Sequence, residues 1–140
     1  MTKIEQLEKK ILCLNMRIEG DKSTIIELEK IKKTMIDNQI IKKKPDVVLL
    51  AVSIMSEHST DQILSQNRKG TLVMCRMIVV HRLSFAGMGP TRIGKILERD
   101  HSTIIHLREQ FKIDLTRDVV RNMYDQFEDV LEKLLVTHRG

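Results

Sequence analysis

The chain of 140 residues has room for one compact domain with an appendage, or for two very small units, which excludes a large enzyme. Aromatic residues make up only 3%, with no Trp, so Ile, Leu, Val and eight Met supply the apolar mass and favour helices over sheets. A formal net charge of +5 favours a polyanionic partner such as nucleic acid.

The opening MTKIEQLEKK is charged from the start and no apolar run approaches the roughly 20 residues of a membrane span, so no membrane partner and a cytoplasmic location are expected. Cys13 and Cys75 match no metal-ligand spacing. Both are expected as reduced thiols, the alternative being a cross-link through Cys13 across a coiled coil.

From residue 4 the apolar positions Ile4, Leu7, Ile11, Leu14, Ile18, Ile25, Leu28 and Met35 keep a 3-4 alternation, with Ile at a and Leu at d of a heptad. Asp21 and Lys32 interrupt it, and Gly20 stands beside the first. Residues 1–44 are therefore expected to form a coiled-coil dimerisation segment. A continuous helix over 3–40, spanning roughly 57 Å, is favoured because the register carries from Ile18 to Ile25. The alternative turns at EGDKST into an antiparallel hairpin, with Ser23 or Thr24 as N-cap.

The run IKKKPDVV marks a boundary, because Pro45 stops one helix and can start the next, while lysines 42–44 suit a solvated linker or a phosphate contact. Downstream, PDVVLLAVSIMSEH reads as a short buried helix, STDQILSQN follows with Ser59 or Thr60 as cap, and TLVMCRMIVVHRLSFAG reads as a core helix ending at Gly87. After the loop GMGP, PTRIGKILE and RDHSTIIHLREQF form two short helices joined by a tight turn, a helix-turn-helix pattern. Asp100 or Ser102 can cap the second, and Ile104, Leu107 and Phe111 can form its buried stripe, leaving the face of Ile105 open. Thr116 can cap a final amphipathic helix over 113–140, striped by Val120, Met123, Phe127, Val130, Leu131 and Leu134. The fold class is all-α.

The cluster ERDHSTIIH holds two histidines and two hydroxyls, yet neither metal nor triad geometry fits. His101 and His106 are five apart, which rotates them about 140° on a helix, and the consecutive residues Asp100, His101 and Ser102 point in three directions. With no phosphate-cradling GxxxxGK[ST] either, no enzyme activity, metal or cofactor is expected. A helix start with unpaired N–H groups and a positive dipole end attracts phosphate instead. Arg99 would add a cationic fork, while Asp100, His101, Ser102 and Thr103 are short enough to reach base edges. The alternative is a surface helix with an ordinary N-cap.

The run IGKILERDHSTIIH, residues 93–106, resembles the signature of the C-terminal DNA-binding domain of the bacterial replication initiator DnaA, with SQNRKGTLVMCRMIVVHRL upstream as support. The likeness spans about residues 45–112. It implies a Trp-repressor-like helix-turn-helix that reads double-stranded DNA in the major groove through Asp100, His101, Ser102 and Thr103. It further implies Arg99 as the adjoining phosphate or base contact, Arg68 as a minor-groove arginine, and Thr91 and Arg92 as phosphate contacts. Departures are Glu98 where the family turn is small or Gly-like, a turn one residue shorter, Leu107 for a small residue and Met77 where Gln is common. The AAA+ ATPase module of the initiator is absent, with the heptad segment in its place.

The resulting expectation is a DNA reader that self-associates as a homodimer through its N-terminal arm. The alternative is an interaction adaptor that uses its coiled coil and C-terminal helix to bind a protein partner. Residues 112–140 carry six acidic against five basic side chains, which suits a protein partner better than DNA.

Overall fold

The computed structural model describes residues 2–17 and 22–139, without the side chains of 13–17 and 22. The expected heptad positions Ile18 and Asp21, Gly20, and the side chains of Cys13 and Leu14 lie outside the described residues. The described residues are all-helical, in the order α1 (Lys3–Arg17), α2 (Lys22–Lys43), α3 (Asp46–Ser56), α4 (Thr60–Leu64), α5 (Gly70–Phe85), α6 (Pro90–Leu97), α7 (His101–Asp114) and α8 (Asp118–Val136). None of these helices is long and apolar enough to cross a membrane. They divide into two compact units, Met1–Gln39 and Ile40–Gly140.

In the first unit, Lys32 Nζ of α2 lies 3.2 Å from Glu8 Oε1 of α1. On one unbroken helix these positions would stand about 36 Å apart, so the favoured continuous helix over 3–40 is corrected to two helices side by side. Their sequence explains the choice, since Gly20 and Asp21, both poor helix formers, fall between them. Ser23 and Thr24 lie inside α2 and are not its N-cap. The heptad stripe is still the covered face: Ile4, Leu7, Ile11, Ile25, Leu28 and Met35 are half-buried.

In the second unit, α5 is the axis. Leu72, Cys75, Met77, Ile78, Val79, Val80 and Leu83 are buried along it. Helices α3, α4, α6 and α7 pack around α5, and Val47, Val48, Leu49, Ala51 and Val52 give α3 the buried character its sequence announces. The Cys75 thiol is free and buried, and burial pushes its pKa up against the smaller opposing effect of a hydrogen bond with Ser56.

The first compact unit ends at Gln39, ahead of the basic run, and the C-terminal helix belongs to the second unit. Val120, Phe127, Leu131 and Leu135 of α8 are buried in the same core, chiefly against α3. Its Tyr124 ring stands 5.3 Å from the His81 ring and 5.8 Å from Phe111, and Arg82 reaches Glu128 at 3.9 Å while lying over Phe85. Burying two or three such side chains is worth several kcal/mol, which outweighs leaving the stripe for a partner. Thr116 does not cap α8: Arg117 holds the cap position, and the Thr116 hydroxyl donates to the Ile113 carbonyl at 2.8 Å.

Candidate nucleic-acid interface

Helix α6 starts with Pro90 at its first turn, where a missing N–H costs nothing. It ends at Leu97, after which Glu98 adopts the left-handed region, φ 57° and ψ 44°. The N–H groups of Glu98 and Arg99 both close on the Gly94 carbonyl, the latter at 2.8 Å, so the turn folds tightly back over the last turn of α6. A Cβ on Gly94 would meet the Arg99 carbonyl oxygen at 2.4 Å, which accounts for the glycine of the Ile93-Gly94 pair. Residues 98–100 thus place the start of α7 immediately beside α6.

Asp100 takes the N-cap position of α7 with an extended backbone, yet its side chain makes no capping hydrogen bond. Its carboxylate instead accepts from the Ser102 hydroxyl and lies 3.5 Å from His101 Nδ1. The Ser102 hydrogen bond holds this carboxyl below its ordinary range against desolvation, with lesser help from the imidazole and backbone N–H of His101. The side-chain cap expected of Asp100 is therefore replaced by a local acid, hydroxyl and imidazole cluster on the surface.

Beyond it, Ile104, Leu107 and Phe111 are buried, as the stripe predicts, which leaves His101, Ser102 and Thr103 exposed. Ile105 is also outward, together with His106 and Glu109. At 100° per residue, Ser102, Ile105, His106 and Glu109 share one band of α7. Ile105 and His106 extend this exposed band beyond the expected contact residues, and the helical spacing from Ser102 was the signal that could have included them.

The remaining expected contacts divide. Arg68 is exposed in the loop before α5, with no hydrogen bond or ion pair among the described residues, and Lys69 beside it is exposed as well. Thr91 is exposed at the start of α6, and Arg92 donates to the Lys42 carbonyl, which brings the exposed lysines 42–44 next to that helix start. Arg99 is half-buried, and its guanidinium donates to the carbonyls of Leu97 at 2.7 Å, Leu64 at 3.3 Å and Ser65, bonds with which a phosphate would have to compete. Burial lowers its pKa, partly offset by the adjacent Glu98 carboxylate.

No protein-family model and no solved structure matches the chain.

Proposed function

We propose that the protein binds double-stranded DNA, inserting the first turn of α7 into the major groove and the Arg68 loop into the adjoining minor groove. One observation carries this reading. Arg99, two residues before His101 and the exposed residues 101–103, hydrogen-bonds the carbonyls of Leu64, the last residue of α4, and of Ser65, which begins the loop carrying exposed Arg68. A polar helix start and a cationic loop thus lie on one side of the fold, the pairing that major- and minor-groove contact to one duplex requires. Helix dipole, lysines 42–44, Lys69 and Arg92 add positive potential there. The role is binding without catalysis, on cytoplasmic DNA.

Self-association belongs to the same proposal. The heptad face of the first unit is half-buried, and Ile26 and Ile31 of α2 are exposed beside it, so two copies gain by covering these side chains. A dimer presents two α7 starts to one DNA and raises affinity through effective concentration. The α8 stripe is buried in the core, so the apolar face of this helix is already covered within the chain.

The test is a titration of random duplexes, and of duplexes enriched by the protein from a random pool, at several salt concentrations. Wild type is expected to bind both, with affinity falling steeply with salt, and His101→Ala to lose about 1 to 3 kcal/mol on the enriched duplex only. Absence of duplex binding at low salt refutes the proposal.

A further inference from the structure

Helix α4 has five residues, so nearly all of its carbonyls lack an intrahelical partner. The last ones are taken by two arginines from elsewhere in the chain. Arg76 of α5 donates from Nε to the Ile63 carbonyl at 2.7 Å and from Nη2 to Ser65 at 2.8 Å and Gln62 at 3.4 Å. Arg99 takes Leu64 and shares Ser65. The carbonyls of residues 63–65 are thereby satisfied by a pair of guanidinium groups that meet on the Ser65 oxygen, while Gln62 also accepts from the Ser65 N–H at 3.2 Å and hydroxyl at 2.6 Å. The arrangement brings two like charges together, and the charge of Arg99 adds to burial in lowering the pKa of Arg76. The negative end of a helix dipole and its carbonyl oxygens are what tolerate the pair.

The two arginines differ in what they connect. Arg76 is buried and joins α4 to the core helix. Arg99 also holds the Leu97 carbonyl, and so joins the end of α4 to the end of α6 and the turn before α7. From Ser65 the connection continues outward: its hydroxyl accepts the Asn67 N–H at 3.3 Å, and the Asn67 side chain accepts the Lys69 N–H at 3.0 Å. Arg68 lies between those two anchored residues. A chain of hydrogen bonds therefore runs from Arg99 to the backbone on both sides of Arg68.

We infer that Arg99 is a positioning residue which fixes the Arg68 loop in register with the first turn of α7, so that the two contacts engage DNA as one unit. This rests on the DNA-binding reading above. It gives the half-buried arginine of the RDHST run a task within the fold, in which the planar fork matters more than the charge.

The experiment uses the full chain, the enriched duplex, and Arg68→Ala, Arg99→Lys and the double variant, with amide hydrogen exchange of the free proteins alongside. Arg99→Lys keeps the charge but cannot span three carbonyls. It is expected to speed exchange at Asn67 and Lys69 while the amides of α5 stay protected. In binding, Arg68→Ala is expected to cost about tenfold in the wild-type background, the scale of one good contact, and less than about twofold beside Arg99→Lys. Equal costs in both backgrounds, or unchanged exchange over 65–69, overturn the inference while leaving DNA binding intact. Failure of wild type to bind any duplex overturns the DNA reading and, with it, the shared engagement.

Discussion

Glu98 offers the sharpest perturbation, because it carries two separable burdens. Its backbone is left-handed, and its exposed carboxylate sits two residues before Asp100 at the proposed DNA face. A side chain in that backbone region costs roughly 1 to 2 kcal/mol, and glycine returns about 0.5 to 1 of this through its freedom in the unfolded chain. Glu98→Gly is therefore expected to stabilise the protein by about 0.5 to 1 kcal/mol, or roughly 2 to 5 °C in Tm. Glu98→Gln keeps the strain and removes the charge, so its stability should stay within about 0.5 kcal/mol of wild type. A charge some 8 Å from a phosphate in water is worth about 0.5 kcal/mol, so both variants should bind duplex about two- to threefold more tightly at low salt, with the gain fading as salt is added. Thermal or urea unfolding reads the first effect and a salt-series titration the second. Destabilisation by glycine would refute the turn geometry, and unchanged affinity in both variants would refute the placement of Glu98 beside DNA.

Gly94→Ala should destabilise by about 2 kcal/mol or more, since its Cβ would press on the Arg99 backbone rather than on a flexible side chain; an unchanged urea midpoint contradicts this. Phe111→Ala, at a fully buried ring packed between His81 and Tyr124, should cost about 3 to 5 kcal/mol by denaturant unfolding, and a loss below 1 would place the ring outside the core. Burial, with the charges of Arg82 and Lys112, lowers the pKa of His81 below 6.5, so the folded state prefers the neutral ring. The stability gained is present above pH 6.5 and lost as pH falls through 6.5 toward the depressed folded value; His81→Phe should flatten that part of the pH curve, and an identical curve contradicts the assignment. Spin labels at positions 8 and 32 should lie within about 20 Å in a hairpin, against about 36 Å on one continuous helix.

The parts of the fold that follow from local rules were legible. Pro90 opens α6, Ser59 caps α4 with the reciprocal Gln62 contact, Gly87 sits at φ 97° after α5, and the stripe Ile104, Leu107 and Phe111 faces the core. What was hidden depends on partners distant in sequence. A heptad stripe serves a folded-back helix as well as a continuous one, so register could not choose between them. The amphipathic pattern of α8 says that one face is covered, not that α3 covers it. The direction of Arg99 depends on carbonyls 34 and 35 residues upstream, and nothing around RDHST announces them. Exposure of residues 101–103 was legible because the buried stripe fixes the opposite face.

The most direct measurement is a chemical-shift titration of the full chain with duplex DNA at low salt. The account predicts that amides of 67–69, 91–92 and 101–106 shift together, while the outer face of α8 stays still. Shifts confined to α8 or the N-terminal unit, or no shifts at all, would contradict it.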